Sequence, residues 1–241
     1  MDDGPGESPV LRGRPWGQPA DQDPDVVVAG GDEKLARAAG ERPGALIRWS
    51  PATGDLARAL GIGDAPSGGL ALTIDGLWWQ AGDSRDRGSK AHSAIPSLAV
   101  NAVILGRAPD RLRYWHGQVP VRIEVDGRER FSGQATTVVI VNGQWVRRAE
   151  LSPRGHPGDG RAEVQVYALP RSSRRAMRAR LPSGSHLPHP SIASWQGSRV
   201  LVVADGGLRL EADGQEVSKG TRRLEVRRLE VTVKPALRLL V

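Results

Sequence analysis

Apolar residues recur along this chain in two different rhythms, and the change between them divides it. From Asp25 to Gly61 the pattern alternates strand and helix. A β-branched run, Val26 to Val28, leads into Gly30 and Gly31, and Leu35, Ala38 and Ala39 follow at helical spacing. A second run at Ala45 to Ile47 predicts another strand, and a helix opening at Asp55 is closed by Gly61 at a C′-like position. This alternation predicts a parallel-sheet fragment. Beyond Leu70 the period drops to two. Val121, Ile123 and Val125 alternate with Arg122 and Glu124 before Asp126-Gly127. Val164 with Val166, Val200 to Val203, Leu208 with Leu210 before Asp213-Gly214, and Val226 to Val233 repeat the style. An antiparallel β-sandwich is the expected result. Pro96 to Leu105 departs from it, an apolar stretch with proline at a suitable first helical position, which predicts a helix.

The predicted fold class is therefore α/β plus all-β. It comprises a leader over 1–24, a short α/β domain over 25–69 and a β-sandwich domain over 70–241 whose last strand is free to return to the first domain. Met1 to Pro24 is rich in Asp, Gly and Pro without hydrophobic period, which predicts disorder.

Composition narrows the function classes. A chain of 241 residues with 39% hydrophobic positions can bury a sizeable core. It has no cysteine, which removes disulfides and thiolate chemistry and agrees with a reducing cytoplasm. No window approaches eighteen apolar residues and the acidic amino terminus lacks a signal pattern, so a cytoplasmic protein without a transmembrane segment is expected. A formal charge of +7 favours anionic partners. Part of the excess is concentrated in Arg171, Arg174, Arg175, Arg178 and Arg180, of which the first four share one face if the segment is helical. That face reads either as a solvated surface or as an electrostatic, peripheral dock for an anionic membrane, without an inserted apolar segment. Nucleic acid is not expected as a partner, because one Phe and two Tyr leave few stacking platforms and the seven Trp are dispersed.

The turn after the first strand, Val27-Val28-Ala29-Gly30-Gly31-Asp32-Glu33-Lys34-Leu35, carries the candidate chemistry. A strand feeding glycines and a helix can aim backbone N–H groups at a phosphate, or can be no more than a tight turn. This stretch resembles V-V-A-G-G-D-G-T-L of the diacylglycerol kinase catalytic family, which includes bacterial lipid kinases and sphingosine kinases. Further segments are similar in the same order. A-T-G-D-L-A-R-A-L-G at Ala52 to Gly61 resembles G-T-G-N-D-F-A-R-A-L-G, and Val121 to Gly143 resembles the family's V-D-G hairpin ending in N-G. Ser152 to Gly160 resembles A-P-D-A-x-P-D-D-G, Gly184 to Pro190 resembles G-T-H-L-G-H-P, and Glu211 to Gln215 resembles x-A-D-G-E.

The resemblance implies a truncated NAD kinase/diacylglycerol kinase-like nucleotide domain before the sandwich, with ATP bound between them and a lipid hydroxyl as phosphoryl acceptor. It implies nucleotide contacts at Gly30, Gly31, Asp32, Lys34, Asp55 and Arg58, a Mg²⁺ ligand at Asp159 and a general base at Asp213. Each also has a plain structural reading: capping and a surface ion pair for Asp55 and Arg58, and turns for Asp159-Gly160 and Asp213-Gly214. The departures are specific. Glu33 stands where the family has a glycine suited to φ > 0, placing a negative charge beside the expected triphosphate, and Lys34 replaces a threonine. Gly54 replaces an asparagine, Arg154 an acidic metal ligand and Gln215 a carboxylate near the base. The family's N-P-x-S-G loop, which precedes the glycine turn, has no counterpart in the 24 residues before Asp25. His186 and His189 lack a third ligand, and Pro188 and Pro190 interrupt any helix that would align them. The expectation is a lipid kinase of weak or absent activity; the alternative is a pseudokinase binding a lipid, an anionic membrane or a protein partner. A homodimer is compatible with either.

Overall fold

A computed structural model describes residues 10–11, 14–15, 17–62, 69–82, 97–219, 222–223 and 225–241. Near the amino terminus β1 (Val10–Leu11) pairs with β2 (Arg14–Pro15), and β3 (Gly17–Pro19) follows. These strands belong to the stretch read from the sequence as a leader. β3 runs antiparallel to Leu70–Leu72, and the Ala20 N–H donates to Gly69 at 3.0 Å, so backbone pairing orders a segment that has no hydrophobic period. Residues 1–9, 12–13 and 16 of the leader lie outside the described residues.

The strand-helix alternation appears where predicted, as β4 (Val26–Gly30), α1 (Asp32–Glu41), β5 (Leu46–Ala52) and α2 (Asp55–Leu60). β4 and β5 are parallel, with Val26 opposite Ile47 and Val28 opposite Trp49. α1 begins with Asp32 and Glu33, whose charges suit a helix amino terminus, and it ends before Pro43, which cannot continue it. Leu35 and Ala39 of α1 and Leu56 of α2 are buried against Ile47, Trp49 and Leu239. Full burial of each leucine is worth about 2 kcal/mol of transfer free energy. α2 is closed by Gly61 at φ 67°, a left-handed C-terminal position that a Cβ would strain.

After the long β6 (Leu70–Gly82), β7 (Ser97–Ala99) and β8 (Ala102–Gly106) occupy the stretch expected to be a helix. Pro96, its supposed first residue, lies outside the described residues. The apolar run Ala102–Leu105 is buried because β8 is flanked by two strands, and a short continuous apolar run fits a two-sided strand as well as a helix. β9 (Val119–Val125) and β10 (Arg128–Ala135) form the predicted hairpin through Asp126-Gly127, both at positive φ, and Val121, Ile123 and Val125 face the core.

The remaining elements complete the antiparallel architecture: β11 (Thr137–Val141), the small β12 (Trp145–Val146) and β13 (Ala149–Glu150) ribbon, β14 (Ala162–Tyr167), α3 (Arg174–Arg180), β15 (Ile192–Gly197), β16 (Arg199–Ala212), β17 (Gln215–Glu216), β18 (Ser218–Lys219), β19 (Arg222–Arg223) and β20 (Glu225–Leu240). One layer runs β15-β14-β11-β8, and the other carries β10, β9, β20 and β6. β16 joins them. Its first half pairs with β9 and β20, its last residues pair with β8, and the register breaks between Val203 and Leu208 around Gly206-Gly207. A Cβ on Gly207 would fall 2.9 Å from the Cβ of Glu225, so the bend needs glycine there. Side chains of both layers, among them Leu105, Val138, Val164, Val202, Leu210 and Val231, share one core. β20 runs antiparallel to β6 from Arg228 to Leu240, and its last residues pair on their other edge in parallel with β5, Arg238 opposite Leu46.

Candidate functional site

The glycine turn is held from below. The Gly30 carbonyl accepts both the Trp49 indole N–H at 2.8 Å and the Thr53 N–H at 2.9 Å, while Gly30 itself sits at φ 119°. Gly31 is the N-cap of α1 in extended conformation. Lys34 lies back over Gly30, where a Cβ would come within 3.2 Å of its Nζ. Glu33 does not take the left-handed conformation expected of it. It lies in the first turn of α1, where helix geometry is favourable for any residue without a Cβ clash, and its carboxylate folds over the Cα of Gly31. The end of α1 that could receive a phosphate therefore carries a carboxylate from within the same turn.

Asp32 is buried, and its two oxygens accept the N–H groups of Asp55 and Leu56 at 3.1–3.3 Å, so it caps α2 from the start of α1. Gly54 makes this approach possible, since a Cβ there would fall 2.9 Å from the Asp32 carboxyl carbon. Asp213 comes from the opposite side, at φ 46° in the turn between β16 and β17. Its carboxylate accepts the N–H groups of Val100, Asn101 and Ala102 at 2.8, 2.9 and 2.9 Å. Burial pushes Asp32 up to about 7, and the charge of Asp213 adds to the rise. Burial also raises Asp213, to about 6, against the pull of its three amide donors and with a further push from Glu33. Two carboxyls with raised pKa thus line one cleft.

Asp55 opens α2, and its carboxylate accepts the N–H groups of Arg147 and Arg148, the latter at 2.9 Å. Those arginines form the two-residue turn between β12 and β13, at φ 52° and 63°. Arg58 lies with its guanidinium 4.8 Å from the centre of the Trp145 ring. Both therefore tie α2 to the β12–β13 ribbon. The Arg147 side chain enters the cleft and bridges Asp110 and Glu211, each at 3.2 Å. Burial opposes its charge, but these two carboxylates more than offset that, leaving its pKa raised. The resulting cavity of about 580 Å³ brings together Gly31, Asp32, Asp55, Arg58 and Asp213.

Asp159 does not line this cavity. It is exposed, and its carboxylate accepts the Arg161 N–H at 2.9 Å within its own turn, while the neighbouring Gly160 N–H donates to buried Asp75 at 2.7 Å. Among the described residues no group of three His, Cys, Asp or Glu side chains stands within reach of one metal ion. His186 is buried with neither ring nitrogen bonded, and burial, with His189 nearby, lowers it to about 4 and keeps it neutral. Asp110, Arg147, Arg148 and Glu211 were not singled out in the sequence. The arginine pair carries no glycine or asparagine to mark a turn at positive φ, and Asp110 becomes part of the cleft only through folding.

Comparison with known proteins agrees with this architecture. A profile described as the YegS C-terminal NAD kinase beta sandwich-like domain matches residues 105–237, more than half of the chain. The chain belongs to this family. No curated protein sequence matches it. A solved diacylglycerol kinase from Bacillus anthracis strain Sterne superposes with a TM-score of 0.60 at 13% identity, over 90% of this chain and 76% of that one. Yeast NADH kinase complexed with NADH superposes at 0.52 and 13%, over 90% and 61%. At such identities the likeness is one of fold, and the YegS-type sandwich is its core.

Proposed function

We propose that this chain is a relative of the diacylglycerol-type lipid kinases in which ATP-dependent phosphorylation of a lipid hydroxyl is weak or lost, leaving a pseudokinase cleft that binds rather than reacts. Its nucleotide-facing part is the layer at 25–69, and its acceptor side is the sandwich at 70–241. One observation carries the reading: the Glu33 carboxylate folds over Gly31 at the amino terminus of α1, where a nucleotide phosphate would need donors and no negative charge. The capping duties of Asp32, Asp55 and Asp213 support it. Each carboxylate is engaged by backbone N–H groups, three of them at Asp213, which gives these side chains a structural role in place of a catalytic one.

The test uses the full chain. Calorimetry with Mg-ATP should give no binding in the micromolar range, and labelled ATP with diacylglycerol in mixed micelles should give no lipid phosphate above background. Micromolar binding together with turnover that disappears in Asp213→Asn would refute the reading and restore Asp213 as a general base.

A further inference from the structure

The loop joining β8 to β9 ends in two side chains that the fold leaves in water. Tyr114 and Trp115 are 67% and 60% exposed, and their rings pack edge to face with centroids 4.9 Å apart. A pair of adjacent exposed aromatics on a rigid loop is uncommon on a surface that contacts only solvent. This loop is rigid because a buried guanidinium holds it. Arg174, 2% exposed, donates to the carbonyls of Arg113 and His116 at 2.7 Å each, and also reaches the Leu169 carbonyl and the Thr136 hydroxyl. The Arg113 N–H closes the tip onto His116 Nδ1 at 3.0 Å, and Leu112 below it is buried with Met177 of α3.

Arg174 therefore cannot belong to the basic face expected of the helix. Its neighbours Arg171, Arg175 and Arg180 remain exposed, as does Arg111 beside the aromatics. The two stitched segments, 107–118 and 170–181, carry eight arginines and one acidic residue, Asp110, which is neutralised by Arg147. Since Asp110 stands in the cleft, the loop runs from the cleft to the aromatic tip within four residues.

We infer that this tip and its flanking arginines form a docking surface for an anionic membrane. Tyr114 and Trp115 would enter the headgroup region, where amphipathic rings partition, and Arg111, Arg171 and Arg175 would meet lipid phosphates. The arrangement brings the mouth of the cleft to the bilayer. It stands whether or not the cleft transfers phosphate.

Cosedimentation of the full chain with phosphatidylcholine vesicles, with or without phosphatidylglycerol, tests it. Binding should require the anionic lipid. Replacement of Arg111, Arg171 and Arg175 by Gln should weaken it by about a hundredfold at low salt, on the basis of roughly fivefold per arginine. Tyr114→Ser with Trp115→Ser should weaken it about tenfold, and this loss should persist in high salt. Brominated lipid should quench tryptophan emission in the wild type and much less in the nearly isosteric Trp115→Phe, which controls for folding. Replacement of Arg128 and Arg130 by Gln on the β9–β10 hairpin should change nothing. The inference is overturned if vesicles do not bind the wild type, if either multiple variant binds as the wild type does, if Trp115 is not quenched, or if single-stranded oligonucleotides bind and vesicles do not.

Discussion

Replacing Glu33 by Gly should restore part of an anion site at the amino terminus of α1. The carboxylate folds over Gly31, so a phosphate seated on the first-turn N–H groups would lie about 4 Å from it, where two unit charges repel by about 1 kcal/mol in water and about 4 kcal/mol at an effective dielectric near 20. Glu33 is half-buried, which places the repulsion between those limits, at about 2–3 kcal/mol. The expected result is a gain of roughly 30- to 150-fold in affinity for ATP or inorganic triphosphate, read by calorimetry on the full chain. Glu33→Gln keeps the bulk and removes the charge, so it should recover most of the gain. Glycine near a helix start costs at most about 1 kcal/mol, and a small fall in melting temperature should accompany it. A gain below fivefold in both variants would refute the electrostatic argument and place the obstacle elsewhere, with the Arg147 side chain the next candidate.

Two further outcomes follow from the buried charges. Asp32 and Asp213 have folded-state values near 7 and 6, above the ordinary carboxylate value, so the fold binds protons that the unfolded chain releases. Their contribution to stability is complete below about pH 4 and is lost as pH rises through 6 and 7; urea midpoints should fall over that interval by an amount equivalent to a few kcal/mol. Asp32→Asn should flatten the fall, and an unchanged slope would contradict the assignment. Arg174→Met should destabilise the protein by about 3 kcal/mol in denaturant titration, because the Arg113, His116 and Leu169 carbonyls lose their donor, and amide exchange should accelerate through 113–116. A loss below 1 kcal/mol would show the loop to be held by packing alone.

The sandwich was legible wherever one face of a strand is wet. Val121, Ile123 and Val125 alternate with charges, and Asp126-Gly127 supplies the turn chemistry, so pattern and hairpin coincide. Ala102–Leu105 was not legible as a strand, because a run buried on both faces has no period of two, and proline upstream favoured a helix. The glycine turn and Asp213 could be found as positions, but not what they touch. The cradle at Val100 to Ala102 lies more than a hundred residues before Asp213, and pairing over such separations has no local signature. Arg174 is the sharpest case. Its spacing with Arg171, Arg175 and Arg178 suggested one solvated face, yet the helix of α3 begins only at Arg174 after a tighter turn, which directs this one guanidinium inward.

The parallel pairing of Arg238 to Leu240 with Leu46 to Arg48 has a consequence for synthesis. A ribosome releases β4 and β5 early, but the strand that covers the inner edge of β5 follows only at Arg238 to Leu240, long after Leu46 to Ala52. Until then β5 exposes an unpaired edge, and Ile47 and Trp49 lack Leu239 from their apolar cluster. The segment at 25–62 should therefore acquire protection only after residues near 240 have left the exit tunnel, so that it folds late although its sequence comes early. Nascent chains arrested before β20 would present that edge to chaperones, and a partner that pairs with it would compete with β20.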